Sequence, residues 1–425
     1  MEKKVKKTLI NFTISDAILQ FALTSLHKYA TIKPKEDFVF SPYSIYQELF
    51  SVYLISSGDI QQRLKNILYL PNVSKYELMK IIKFRKYPAI QSACPQDAAS
   101  NLPQHYMIQN KCIFLNTILC KNIKIIRKLY NFGFTFKESN DIHDINRKTN
   151  KILNSWTENY ILKPLKLEVK RETIDIIMMN VHNFHGRYRL IPQPTSNEMS
   201  LDCDQLASNT SLYLNFKTFS SDELQVNVKE LIIKKDYTSL FMLIPFSSST
   251  DKRVKTDTSS TSLSSLIERL STSEGMRKFR KLLFCVETGG SLSFATWPTF
   301  EIEKNLDMPV LLRELGVEQL LTSDAILLDN TFAENNQFVH FGNAVHRARV
   351  KVMEDNVTAT AVTLISEQEL SSNDIISYMY LNYSFVWLIY DKWNADILYI
   401  GVFNEVDKFI DVCSESFTDW FNKTF

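Results

Sequence analysis

Ala344-Val-His-Arg-Ala348, followed by Glu354 and then by Val357-Thr-Ala-Thr-Ala-Val-Thr363, is the most informative part of this chain. The second half holds only Ala, Val and Thr, and its Val and Thr residues favour a pleated strand. Short β-branched or aromatic segments bounded by turn residues recur upstream and downstream, at Lys111 to Leu119, Ile174 to Val181, Ser239 to Pro245, Ser291 to Phe294 and Ser384 to Tyr390. They are expected as strands.

The N-terminal part has a different period. Between Ile14 and Tyr29 the residues Leu19, Ala22, Leu23 and Leu26 lie at helical spacing, with Thr13 or Ser15 as the N-cap. Ser44 to Ile55 repeats the pattern after Pro42, whose fixed φ suits a first helical turn, and Gly58 is placed to end it. Asp59 to Leu70 is expected as a third helix, stopped by Pro71. The prolines and small residues between Tyr87 and Gln109 predict a surface loop or insertion. The Ser- and Thr-rich stretch Ser247 to Ser265 predicts a mobile connection, with helical pattern resuming at Leu266. Helices early, strands late and few βαβ alternations point to an α+β domain with a large mixed or antiparallel sheet.

Composition narrows the function classes. The 425 residues are 45% hydrophobic and 23% charged, which is ordinary for a globular chain. A net charge of +2 gives no field that would make nucleic acid or an anionic membrane the main partner. The six cysteines are scattered and match no zinc spacing, so they are expected as buried thiols with at most one disulfide. Leu9 to Asp16 is too polar for a signal-peptide core, and the apolar run Ile375 to Tyr390 is broken by Asn382 and two serines, short of the roughly 20 residues of a membrane helix. H-E-x-x-H, G-x-S-x-G and G-x-x-x-x-G-K-[ST] do not occur, so hydrolase and nucleotide-binding readings lack their minimum chemistry and no cofactor is expected.

Motif order adds a family. Phe38-Val-Phe-Ser-Pro-Tyr-Ser44 resembles the F-S-P-x-S turn that starts the second helix of the serpins, the serine protease inhibitors. Leu153-Asn-Ser-Trp156 is similar to their I-N-x-W helix, and Asn180-Val-His-Asn-Phe-His-Gly186 to their N-x-x-x-F-x-G strand. Trp297-Pro-Thr-Phe-Glu-Ile-Glu303 with Leu315-Gly316 resembles the P-x-F-x-I-E strand and the helix end after it. Ala344-Val-His-Arg-Ala348 resembles the A-V-H-K-A strand that leads into the reactive loop. The resemblance implies an α+β serpin fold with a large mixed central sheet, smaller sheets, N-terminal helices and an exposed reactive loop near residues 354–378. It implies one domain over 13–406, a tail at 1–12 and an extension at 407–425. Tyr188 in place of the usual Trp, and Ser384 in place of the usual Pro, mark a divergent member.

The resemblance also implies a mechanism. A protease cuts the loop, and the freed segment enters the main sheet as an extra strand, so alternate residues turn inward and must be small or apolar. From Glu354 the inward set is Val357, Ala359, Ala361 and Thr363, and the outward set is Thr358, Thr360 and Val362. Asn356 stands where inhibitors usually carry a hinge Gly, and Asn tolerates left-handed backbone best among the other residues. Val357 is bulkier than the usual Thr or Ser, and Glu367 falls in the inward register, where an unpaired charge is costly. The usual loop length puts the reactive bond at Leu370-Ser371, with Glu369-Leu370 and Ser372-Asn373 as alternatives, and a leucine suits the primary pocket of a chymotrypsin-like or elastase-like serine protease. Ser41, Ser44, Asn180 and His346 match the hydrogen-bonded shutter beneath the sheet.

The protein is therefore expected to be a monomeric, single-use inhibitor and not an enzyme. The family habit of secretion stands against an N-terminus that shows no signal. A non-inhibitory binding or carrier protein on the same fold is the competing expectation, sustained by Asn356, Val357 and Glu367. Lys80, Lys83, Arg85 and Lys86 form a basic cluster that reads either as solvated surface or as a weak polyanion site. His182 and His185 are expected on opposite faces of a strand, not as a metal pair. Asn356-Val-Thr358 is a glycosylation sequon, and a sugar there is expected to block insertion.

Overall fold

Ser41 and Pro42 show how local chemistry sets an element. Pro42 needs no N–H at the first helical position, and the Ser41 hydroxyl accepts from the Ser44 N–H as the N-cap. The computed structural model of the chain describes residues 2–84, 106–114, 147, 151, 176–188, 214–233, 238–246, 258–285, 291–295, 300–321, 326–327, 338–339, 344–353, 356–365, 375–378 and 384–404. Among these the helices are α1 (Glu2–Ile32), α2 (Pro42–Ile55), α3 (Gly58–Ile67), α4 (Lys75–Phe84), α5 (Thr258–Ser271), α6 (Ser273–Cys285) and α7 (Met308–Leu315). The strands are β1 (Phe38–Phe40), β2 (Tyr106–Phe114), β3 (Ile176–Arg187), β4 (Leu214–Ser221), β5 (Val226–Ile232), β6 (Thr238–Pro245), β7 (Ser291–Ala295), β8 (Phe300–Leu306), β9 (Ile326–Leu327), β10 (Phe338–Val339), β11 (Ala344–Val352), β12 (Asn356–Ile365), β13 (Ile375–Tyr378), β14 (Phe385–Asp391) and β15 (Asp396–Phe403).

Several boundaries differ from the sequence expectation, each for a physical reason. α1 starts at Glu2, so residues 2–12 continue the helix instead of forming a tail; a Lys-rich sequence without Pro or Gly favours this. Ser15 is not a cap, since its hydroxyl donates to the Asn394 carbonyl at 3.1 Å. α2 ends at the Ser56 cap, and Gly58, at φ +69°, opens α3. α3 ends at Ile67, three residues short of Leu70, and Tyr69 takes a positive φ. β2 takes in Tyr106 to Gln109, upstream of the expected start at Lys111, by pairing from Tyr106↔Phe184 to Phe114↔Ile176, while residues 115–119 of the expected strand lie outside the described residues. α5 begins at Thr258, inside the expected mobile connection; Leu263, Leu266, Ile267 and Leu270 supply a buried stripe that outweighs the weak helix preference of Ser and Thr.

Three layers follow. A seven-stranded sheet in the order β1-β15-β14-β6-β5-β4-β7 is covered on one face by a core shared with α1, α2, α5 and α7. Its other face packs on a six-stranded sheet in the order β13-β8-β11-β12-β3-β2. The expectation of a mixed central sheet meets a specific fact here. Every described pairing is antiparallel, but β3 and β11 both run antiparallel to β12 and hence parallel to each other. The sheet is antiparallel throughout only because β12 stands between them. The first part of the loop expected outside the body is therefore a central strand. β13 adds the outer edge by pairing with β8, Ile375 opposite Glu303 and Tyr378 opposite Phe300.

Gly401 sits directly across from Trp387, and a Cβ there would lie 2.5 Å from the indole ring. The missing side chain is the seat for a fully buried Trp between the sheets. Gly401→Ala is expected to destabilise by about 1–3 kcal/mol through overpacking. A urea unfolding midpoint equal to that of the unaltered protein would show that the indole relocates freely.

Candidate functional site: the inserted strand and the shutter beneath it

β12 enters the sheet straight from β11. The Met353 N–H donates to the Asn356 carbonyl at 2.8 Å, and Val352 faces Val357 across the turn. Asn356 pairs with Arg187 as extended backbone, without a positive φ, so the missing hinge glycine costs no left-handed strain at this position. Val357, bulkier than the usual hinge residue, is fully buried opposite Gly186, which has no side chain to compete with it. Val357, Ala359 and Ala361 join the core between the sheets, against Trp387 and Tyr399. The inward register expected from the sequence is the observed one.

Asn356 falls in the outward register with Thr358 and is partly exposed. A glycan on Asn356 would sit at the open end of the strand and not between the sheets, which corrects the expectation that it must block insertion. His182 points inward and is fully buried, whereas His185 lies opposite Thr358 in the outward register, so the two rings do occupy opposite faces.

The fourth inward residue, Thr363, is polar and completes a directional relay. The Ser44 hydroxyl donates to Asn180 Oδ1 at 2.5 Å. With that proton spent, the 2.7 Å contact between Ser44 Oγ and Thr363 Oγ1 requires Thr363 to donate. The 2.8 Å contact between Thr363 Oγ1 and His346 Nδ1 then requires Nδ1 to carry a proton. His346 Nε2 is left as the acceptor for the Ser41 N–H at 3.0 Å. On the other side of Ser41 its hydroxyl donates to the Leu398 carbonyl at 2.7 Å and lies 3.1 Å from His182 Nδ1, which is therefore the donor in that pair. The four residues expected as a shutter are thus brought together, and the relay adds His182 and Thr363.

From the sequence, His182 is excluded from a metal pair with His185 but is given no place in the shutter. The available signal was its spacing: Asn180 and His182 are two apart in a strand, so they share a face. Tyr399, beneath the same strands, had no sequence signal, because its partners come from β3 and β12 and it lies on β15. Burial holds both rings neutral, lowering His182 and His346 from 6.5 to about 3, with His346 adding to the shift at His182.

The comparisons fit this geometry. The serpin (serine protease inhibitor) family pattern matches residues 16–406. The chain belongs to the serpin family. It is 21% identical over 415 residues to serine protease inhibitor 88Ea of Drosophila melanogaster, covering 91% of this chain and 89% of that one. It is 23% identical over 410 residues to serpin B4 of Homo sapiens, covering 92% and 99%. Among solved structures it resembles the thermophilic serpin tengpin in its latent state, with a TM-score of 0.65, 16% identity and coverage of 93% and 97%. This serpin's remaining expected site residues, Glu354, Glu367, Glu369, Leu370, Ser371, Ser372 and Asn373, lie outside the described residues, as do Arg85, Lys86 and the extension at 407–425. Lys80 and Lys83 are on α4.

Two outcomes are expected. Thr363→Val removes the central hydroxyl and leaves Ser44 and His346 each short of a partner, costing the inserted form about 1–3 kcal/mol in a urea melt. An unchanged midpoint would mean water replaces the hydroxyl at no cost. The second concerns pH. Unfolded histidine takes its proton near 6.5 and the folded rings near 3, so stability is complete above about pH 6.5 and falls as pH drops towards 3. Each ring contributes up to about 1.4 kcal/mol per pH unit over that window. His346→Gln should flatten the fall in urea midpoint measured between pH 6.5 and 4.5; identical profiles would show that His346 is not held neutral.

Proposed function

We propose that this serpin inhibits a serine endopeptidase as a suicide substrate, presenting Leu370-Ser371 for cleavage and then inserting the segment beginning at Asn356 between β3 and β11. The observation that carries this reading is the fit of Val357, Ala359, Ala361 and Thr363: three apolar side chains fill the inter-sheet core and the one hydroxyl is fully bonded. A segment not meant to enter the sheet has no reason to alternate this way. Insertion replaces a seam between parallel strands by two antiparallel ladders and buries apolar surface, which supplies the driving force for dragging an attached protease. Leucine before the cut bond favours a chymotrypsin-like or elastase-like target.

One observation favours the competing reading, a non-inhibitory binding or carrier protein. Asn356–Ile365 already lies in the sheet, so this part of the segment is held as a strand and not presented as a loop. The two readings separate on one gel. Mixed with chymotrypsin at equal molarity, an inhibitor yields a complex that survives denaturant and a released peptide beginning at Ser371. Clean cleavage without a complex, and without a rise in melting temperature afterwards, would establish the carrier reading. Ala361→Asp places a charge in the inter-sheet core at several kcal/mol and is expected to turn the inhibitor into a plain substrate; complex formation at the unaltered yield would sink the insertion mechanism.

A further inference from the structure

Tyr399 belongs to β15 of the seven-stranded sheet, yet its hydroxyl reaches the backbone of the other sheet. It donates to the His182 carbonyl of β3 at 2.6 Å and to the Ala359 carbonyl of β12 at 3.2 Å. A single proton is therefore shared across the seam where β12 meets β3. The ring is held for this task, because it stacks on the His182 imidazole with centroids 4.8 Å apart and planes at 24°, and His182 is itself anchored through Nδ1 to Ser41 Oγ. Tyr399 is fully buried, and burial raises its pKa well above the usual value, so the hydroxyl remains a donor throughout the working range.

We infer that Tyr399 is a positioning residue for strand insertion, a pin that bonds β12 at Ala359 as a second point of attachment beside Thr363. Ala359 and Thr363 are both inward and four residues apart, so β12 is gripped at two points along its length. Both grips start from Ser41, one through His346 and Thr363, the other through His182 and Tyr399. The first bond of Tyr399, to His182, needs only β3; the second exists only when β12 is in place. Its hydroxyl thus contributes to the inserted state in a way that a phenylalanine of the same shape would not.

This deepens the trapping reading proposed above and rests on it for its kinetic consequence, but its structural part is tested separately. The test is Tyr399→Phe in the full chain, followed by hydrogen exchange of the backbone amides read by mass spectrometry. Peptides covering residues 357–365 are expected to exchange about five-fold faster, the ordinary worth of one buried hydrogen bond, with α5 and α7 unchanged. Tyr46→Phe is the control: it removes an equally buried hydroxyl, bonded to the Leu68 carbonyl at 3.1 Å away from the seam, and should leave β12 as it was. Unaltered exchange in β12, or an acceleration of the same size in both variants, would overturn the assignment. In a second arm, Tyr399→Phe should shift the partition with chymotrypsin from complex towards cleaved product. Absence of any complex even with the unaltered protein would overturn the inhibitory reading, while the exchange arm would still decide the role of Tyr399.

Discussion

The constraint on which the structure depends is the separation of two parallel strands, β3 and β11, by exactly one strand's width filled by β12. Removing β12 would bring two strands together in parallel or leave two edges of unpaired N–H and C=O groups, and buried backbone groups do not stay unpaired. Everything under that gap is arranged for one occupant. Trp387 and Tyr399 rise from the second sheet and leave room only for small side chains at Ala359 and Ala361, and the polar patch formed by Ser44, Asn180 and His346 calls for a hydroxyl at Thr363.

The two flanks of β11 are held by different interactions. Towards β8, β11 is cross-linked by charge: Arg347 bonds Glu303 through Nε at 2.7 Å and Nη2 at 2.5 Å with both residues buried, and Arg349 and Lys351 reach Glu301. Breaking a buried pair leaves an uncompensated charge and costs several kcal/mol. Towards β12 the facing residues are Val362, Thr360 and Thr358, with no charge pair across the seam among the bonds described. β11 is thus tied to β8 by charge and to β12 by backbone pairing between uncharged side chains.

Much of this was legible in the sequence, and the limits have physical causes. The resemblance implied the inward register by carrying it from Glu354, and a strand's period of two then assigned Val357, Ala359, Ala361 and Thr363 to one face. Ser41, Ser44, Asn180 and His346 were found as a group, although nothing in the sequence could say that Thr363 closes the relay, since that bond spans β12 and α2. Boundaries failed where tertiary contacts override local preference, as at β2, whose residues 106–109 are drawn into the sheet by pairing with β3, and at α5, whose Ser and Thr residues are carried by an apolar stripe. Tyr399 was invisible for the same reason: a tyrosine in an apolar strand reads as core, and only the crossing of two sheets gives its hydroxyl a task.

The path of the chain after β12 shows that insertion and cleavage are separable. β12 descends to Ile365, opposite Ala344, and β13 ascends along the outer edge of β8 from the level of Glu303 to that of Phe300. Between these ends lie three strand spacings of about 4.8 Å and an axial offset of the five residues from Ala344 to Arg349, about 22 Å in all. Residues 366–374 have an extended reach of roughly 30 Å, ample for the crossing. An uncut chain can therefore hold β12 in the sheet and β13 on its edge at once, so bond cleavage is not a geometric condition for insertion. Under the inhibitory reading proposed above, cleavage would change the rate by freeing one end of the segment from β13. On that same reading, the described state is one in which the trap is already closed, held by the neutral seam and the two grips on β12.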